Sequence, residues 1–441
     1  MKLFEQVEGS ITDIDGKGHG ILKKDGKEIR AFFGIPGDRV RLTLTKRKKG
    51  ELRGKIDEII SPSSDRIHPP CPYVGKCGGC VWQMIDYPAQ LLHKRNLVNR
   101  AFAEANLPFH IEAVEAAPEL FYFRNRMDYV FGRDGELGLK EPERWWSVLN
   151  LDTCFLLSEP AVVVMQEIRA WAKRWKLEPW DGRRHAGFLR YVVIREGKNT
   201  KERMVTLVTG RGELSEDARH DLVNRLSPLT TTLYWGINPL ITDLSISQEL
   251  HLLSGNPYLT EMINGNTYRI HPNSFFQTNS SMAARLMDAV RDGLGSEPIN
   301  RLLDLYCGLG FFAIGLADRA KEIIGVELDE PAIVLARENA ALNDRKNITF
   351  HAGPTEKILS TLPQPDAVIV DPPRSGLHPK ALETLLSLAP DRIVYVSCNY
   401  HSLIKELPKL LASYTITSLR ALDLFPHTPH VEVVVVLERR T

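Results

Sequence analysis

The chain has almost no net charge: 56 Lys and Arg stand against 55 Asp and Glu, leaving +1 over 441 residues. A surface built for indiscriminate nucleic-acid binding would carry a large positive excess. Long apolar runs are missing too. None nears the roughly 20 residues that cross a bilayer, so no membrane partner is expected. The opening MKLFEQVEGS lacks the apolar stretch of a signal peptide, which makes the cytoplasm the expected compartment. No internal repeat or low-complexity tract is visible. Cysteine is scarce, with six in all. In a reducing compartment, clustered cysteines point to metal or catalysis rather than disulfides.

What is present is an ordinary soluble composition, 43% hydrophobic and 25% charged. The length predicts about three domains at roughly 150 residues each. Residues 1–60 alternate with period two between DG and GKG turns, the pattern of antiparallel strands. A small barrel fits that length, and such barrels often bind oligonucleotides. Within it, residues 39–55 carry eight Lys/Arg and one acid, Glu51. Such a run can grip phosphates, although a solvated hairpin tip is the commoner fate. SPSSDRIHPPCP (61–72) reads as a linker, and 86–106 as an amphipathic helix. Residues 120–270 mix strands and helices. There HAGFLRYVVIR (185–195) sets a His and an Arg beside an apolar strand.

From about residue 275 strands and helices alternate, the signature of a parallel sheet with covering helices. RLLDLY, EIIGVE, DAVIVD, RIVYVS, TITSLRALDLF and VEVVVVLE supply the strands, and FFAIGLADRA and EPAIVLARENAALN the helices. FPHTPH is too short for a parallel crossover, so the last strand must run antiparallel. The turn with Asp304, Gly308 and Gly310 suits a nucleoside, because glycines let the backbone approach it. Glu327 ends the next strand, where an acid can hold a ribose. Asp371 ends a third, and such strand ends converge on the ligand crevice. The full G-x-G-x-x-G pattern is broken at Ala313, which favours S-adenosylmethionine over NAD.

Cys71, Cys77 and Cys80 lie in HPPCPYVGKCGGCVWQ, and Cys154 follows in LDTCFLLSEP. The uneven three-plus-one spacing suits a four-iron cluster, and spacing alone leaves zinc open. Cys398 closes RIVYVSCN and reads as a nucleophile beside DPPRSG and PHVE. Cys307 reads as a small residue packed in the turn. Phe275, Phe276 and Tyr306 are either stacking groups or core.

NSFFQTN, DLYCGLG, GVELD, VDPPRSG, VSCN and FPHTPHVE, in that order, make the chain resemble the RNA 5-methyluridine methyltransferases of the ribosomal-RNA type. The resemblance covers nearly the whole length. It implies a TRAM-like RNA-binding β-barrel at 1–60, a central α+β domain with the iron–sulfur site at 61–270, and a Rossmann-like methyltransferase domain at 271–441. The four ligands of a [4Fe–4S] cluster would be Cys71, Cys77, Cys80 and Cys154. Gln277, Tyr306, Glu327 and Asp371 would bind S-adenosylmethionine. Cys398 would be the nucleophile and Glu432 the base. The chain departs from the family pattern at Phe311 and Pro354, near the expected cofactor.

The expected activity is methylation of carbon 5 of a uridine in 23S ribosomal RNA by a monomer. Chemically, a thiol of lowered pKa adds to carbon 6, carbon 5 takes the methyl group, and a base removes the carbon-5 proton. The target base must be splayed out of its stack. Two rival readings remain: a transfer-RNA enzyme of the same mechanism, and a non-catalytic RNA-binding protein with a decayed cofactor site.

Overall fold

Period-two patterning and glycine turns produce strands first. In the computed structural model, which describes residues 2–48 and 51–440, Gln6–Ile14, Gly20–Lys24, Lys27–Ala31, Arg39–Lys48 and Glu51–Ser61 close into a barrel. Val7, Ile11, Leu22, Ile29, Val40 and Leu42 fill its interior. Lys49 and Gly50 of the basic run lie outside the described residues. Much of the remaining run is neutralised. Arg41 pairs with Glu8 at 2.7 Å and Glu58 at 2.5 Å, and Arg53 pairs with Glu143 of the central region. Glu51 within the run also pairs with Arg53, at 3.2 Å, so part of its charge is answered inside the fold.

The central sheet runs Glu249–Gly255, Thr232–Ile237, Arg203–Thr209, Leu189–Glu196, Arg126–Phe131, Leu137–Glu141, Arg144–Asn150. The helices Glu159–Arg174 and Glu216–Leu226 cover one face and share its core.

The last sheet holds eight strands among the described residues. Their order is Ile348–Ala352, Ala320–Glu327, Ile299–Leu305, Ala367–Val370, Arg392–Ser397, Glu432–Arg439, Tyr414–Leu422 and Val114–Glu115. The first five are parallel. Glu432–Arg439 is antiparallel to both its neighbours; the short connection from Leu422 to Glu432 accounts for its pairing with Tyr414–Leu422. It inserts between Arg392–Ser397 and Tyr414–Leu422, which sets Glu432 beside the end of the Cys398 strand. Ile299–Leu305 lies between strands that lead off in opposite directions, so the ligand crevice opens at its carboxyl end.

One expected helix is much shorter than FFAIGLADRA. It spans Phe311–Gly315 and gives way to a 3-10 turn at Ala317–Arg319. Gly315 sits where a Cβ would meet the Met287 sulfur at 2.7 Å, so close packing takes precedence over helix length. Helix Tyr87–Glu104, from the N-terminal half, buries Leu97, Val98, Ala101 and Phe102 in one core with Tyr395, Leu403 and Leu407 of the last sheet and its covering helix. No helix among the described residues is long and apolar enough to cross a membrane.

Candidate active site

The strand Ile299–Leu305 ends in a turn where Tyr306, Gly308 and Gly310 all take positive φ, at 64°, 54° and 87°. A Cβ on Gly308 would meet nothing within 4 Å, so its backbone faces open space at the crevice. The Gly308 amide donates to Glu327 Oε2 at 3.1 Å, and the Asp329 amide to Glu327 Oε1 at 3.0 Å. That carboxylate is thereby fixed beside the turn. Leu328, the next residue, is 65% exposed, an apolar surface next to a ribose-holding acid that the sequence did not single out.

Beneath the turn Asp304 is fully buried. Its Oδ2 accepts from the Ala313 amide at 2.9 Å, while Oδ1 has no partner. Burial, with Asp371 and Glu327 adding repulsion, pushes its carboxyl up to about 8. Asp371 accepts from Gln277 Nε2 at 3.4 Å, and burial pushes it up to about 7. Gln277 is held from across the domain boundary: Asn125 Nδ2 donates to its carbonyl at 2.8 Å. Phe276 is core, packed on Tyr268 and Phe311, whereas Phe275 is 67% exposed and faces the cleft. Phe311 belongs to that aromatic cluster too, which accounts for a large apolar residue in the turn. Tyr306 points toward Thr355. Cys307 is buried in the core below the turn.

Cys398 follows the strand Arg392–Ser397 and precedes Asn399, the N-cap of helix Tyr400–Leu410. Asn399 Nδ2 and Ser402 Oγ both donate to the Arg374 carbonyl, at 2.8 and 2.9 Å. These bonds clip the DPPRSG loop to the helix start. Ser397 pairs with Val433 across the antiparallel ladder, so Glu432 lies next to Cys398. Glu432 is 4% exposed. Burial holds its carboxyl well above the usual range, with Asp371 adding to the effect and Arg374 opposing it.

A lowered thiol pKa was expected at Cys398, and the structure reverses it. Burial and the neighbouring Glu432 and Asp371 carboxyls push the thiol up to about 11, against the pull of Arg374. Burial is the main reason, and charge crowding adds to it: Asp371, Glu432 and the thiol share one site with Arg374 as the opposing cation. Such a site favours a cationic ligand, which lets its acids ionise.

A cleft of about 940 Å³ runs from this site across the molecule. Lys17 of the barrel, Arg124, Arg126, Lys140 and Arg374 line it, with Asp128 and Asp243 among them.

The four expected metal ligands lie together. Cys80 interacts electrostatically with Cys71, Cys77 and Cys154. Loop 71–80 is docked by Gly78 donating to the Lys140 carbonyl at 3.3 Å, and by the Asp152 amide donating to Tyr73 Oη at 3.0 Å. Burial pushes the Cys71 thiol up, Cys77 to about 11 and Cys80 further. All four cysteines are unpaired thiols. Among the described residues, no group of three or more His, Cys, Asp or Glu is arranged to hold a metal ion.

The glycine turn at the sheet's switch point suits a nucleoside, and the crowded acids suit a positive charge. S-adenosylmethionine is both, so fold and site together define a methyltransferase that uses it. The family model for tRNA (uracil-5-)-methyltransferase matches residues 245–364 and 359–440. The tRNA (uracil(54)-C(5))-methyltransferase of Pyrococcus horikoshii is 35% identical over 429 residues, covering 97% of this chain and 99% of the relative. An uncharacterized RNA methyltransferase of Caldanaerobacter subterraneus is 36% identical and covers 99% of both. The crystal structure of Pyrococcus abyssi tRNA (uracil-54, C5)-methyltransferase with S-adenosyl-L-homocysteine matches at 32% identity and a TM-score of 0.81, over 98% of this chain and 100% of that one. This chain belongs to the tRNA (uracil-5-)-methyltransferase family and is an RNA uracil-5-methyltransferase. That excludes the reading as a non-catalytic RNA binder.

The raised Cys398 thiol has a direct consequence. Without ligands, alkylation of the Cys398 peptide by iodoacetamide, followed by mass spectrometry, should still be climbing with pH at about pH 9, because only the thiolate reacts. Asp371→Asn removes one of the repelling carboxyls, lowers the thiol pKa and should speed alkylation at fixed pH. A wild-type rate that levels off below about pH 8 would contradict the charge crowding.

Proposed function

We propose that the protein methylates carbon 5 of a uridine in transfer RNA, at the position equivalent to uridine 54, with Cys398 as nucleophile and Glu432 as base. The observation that carries the substrate is end-to-end similarity to enzymes named for that transfer-RNA uridine. It favours transfer RNA over the 23S ribosomal RNA that the motif resemblance implies.

The chemistry follows from the site. S-adenosylmethionine supplies an electrophilic methyl group. The Cys398 thiolate bonds to carbon 6 of the uracil, which makes carbon 5 nucleophilic, and carbon 5 takes the methyl group, leaving S-adenosylhomocysteine. Glu432 then accepts the carbon-5 proton. The carbon 6–sulfur bond breaks, and the thiol is restored. In the ligand-free site burial favours the neutral forms of Glu432 and Cys398. A sulfonium charge beside Asp371 favours both conjugate bases. Gln277 and Asp371, joined at 3.4 Å, and Glu327 on the glycine turn are the proposed S-adenosylmethionine contacts, with Tyr306, Gly308 and Gly310 shaping the crevice.

The cysteines Cys71, Cys77, Cys80 and Cys154 are proposed to hold a [4Fe–4S] cluster. A single zinc ion needs its sulfurs about 3.8 Å apart, given Zn–S bonds of about 2.3 Å. These thiols interact with one another without closing to hold one ion. The Arg124 guanidinium lies buried beside Cys80 and Cys154 with Nε unpartnered, which suits a bulky anionic group. The cluster's part is structural, fastening loop 71–80 beside the cleft.

Two experiments test these readings. Unmodified transfer RNA and 23S ribosomal RNA, each incubated with the protein and S-adenosylmethionine, are digested and mapped for 5-methyluridine. Transfer RNA should be methylated at one T-loop uridine, and Cys398→Ala should methylate neither RNA. Methylation confined to ribosomal RNA would overturn the substrate. Anaerobically purified protein should be brown, with about four irons and four sulfides per chain. Colourless protein holding stoichiometric zinc would overturn the cluster.

A further inference from the structure

The methylation chemistry leaves a second concavity unused. It lies on the central sheet and has a volume of about 380 Å³, within the range of small-ligand sites. Two tryptophans wall it, each with an arginine over its ring. The Arg183 guanidinium stands 5.0 Å from the Trp146 ring centroid, and that of Arg190 stands 4.7 Å from Trp180. Trp146 is 47% exposed at the mouth.

Arg190 is the fixed part. It is 3% exposed, and its guanidinium donates to the carbonyls of Asn238 and Leu240, both at 2.7 Å, and of Thr242. These bonds hold loop 238–242 as a wall. Its Nε nevertheless has no partner, and neither does the buried Thr242 Oγ1. Two polar atoms that burial would normally satisfy are left unanswered in residues lining one pocket. Arg133 and Lys140 add positive charge, against Asp181 and Asp243. The exposed loop carrying Arg183, Arg184 and His185 overhangs the mouth.

The pocket also borders the catalytic cleft. Lys140, Tyr191 and Asp243 line both. They form a bonded partition: Tyr191 Oη donates to Asp243 at 2.5 Å, and Lys140 pairs with the same carboxylate.

We propose that this pocket takes an unpaired nucleobase of the same RNA strand that presents the target uridine. The base stacks on the tryptophan walls, its edge meets Arg190 and Thr242, and its phosphate meets Arg183. Aromatic faces backed by arginine are what single-stranded nucleotides use for sequence-tolerant binding. A site one partition away from the cleft lets a strand enter both. The inference rests on the RNA methyltransferase reading.

Trp146→Ala and Arg183→Glu test it, since both side chains lie at the rim and neither change opens a core. RNA affinity is measured by filter binding, S-adenosylmethionine affinity by calorimetry, and turnover on unmodified transfer RNA. Each variant should weaken RNA binding and raise the RNA KM by about fivefold or more, with kcat and S-adenosylmethionine affinity within about twofold of wild type. Trp146→Phe should recover most of the loss. Arg183→Glu should also flatten the salt dependence of RNA binding by about one unit of slope. RNA affinity unchanged in both variants would overturn the inference and leave the pocket to another ligand. So would a parallel fall in kcat and S-adenosylmethionine affinity, which marks a structural role. If the wild type methylates no RNA uridine, the parent reading fails, while filter binding still reports on the pocket.

Discussion

The active site hangs on a buried ion pair between residues 329 positions apart. Lys94 of helix Tyr87–Glu104 meets Asp423 just before the FPHTPH segment, and both are fully buried. Burial draws the Lys94 ammonium down, and Asp423 opposes that. Lys94 Nζ also donates to the Phe425 carbonyl at 3.0 Å, and Tyr87 Oη donates to Asp423 at 3.1 Å. Gln90 Oε1 accepts from the His427 amide at 2.9 Å, and the Trp82 amide donates to the His427 carbonyl at 2.9 Å. A buried pair that loses one partner strands a charge, at a cost of about 3–5 kcal/mol. Its value here is geometric. It fixes the chain that enters the Glu432 strand, and the Trp82 indole extends the hold to the barrel through the Gly18 carbonyl at 3.1 Å.

On that frame sits a site whose acids are buried and crowded. Asp304 at about 8, Asp371 at about 7 and the Cys398 thiol at about 11 are all held toward their neutral forms. A preformed anionic pocket would bind many cations, whereas one that ionises only when a cation arrives couples binding to activation. In the proposed mechanism Cys398 and Glu432 are therefore quiet until a sulfonium and a uracil share the crevice. The nearby His430, pushed down to about 4 by burial, stays neutral at physiological pH and adds no competing charge.

Much of the catalytic domain was legible because its signals are local. Apolar runs such as RIVYVS and VEVVVVLE gave strands within a residue of their observed ends, and the short FPHTPH connection dictated the antiparallel last strand. The candidate site residues stood out because the glycines and acids fall at strand ends, and the fold brings those ends to one edge of the sheet. The failures were non-local. Nothing near Lys94 announces Asp423, and nothing near Glu432 says its strand will slot between two earlier ones. Val114–Glu115 joins the catalytic sheet from the central region, which two residues of sequence cannot signal. The thiol of the ligand-free site is shifted up rather than down because a motif shows neither how deeply the thiol is buried nor the acids around it. The partners of the basic run were equally hidden: Arg41 and Arg53 are answered by Glu8 and Glu143. A His and an Arg in 185–195 stood out in the sequence, and only the fold shows Arg190 stacked over Trp180.

The central claim is that Cys398 bonds to the target base. The most direct test uses transfer RNA in which uridine is replaced by 5-fluorouridine, whose fluorine cannot leave as a proton does. With S-adenosylmethionine present, the account predicts a complex that survives denaturation, with tandem mass spectrometry locating the methylated fluorouridine on the Cys398 sulfur. No covalent complex under conditions that methylate normal RNA, or an adduct on any other residue, would contradict it.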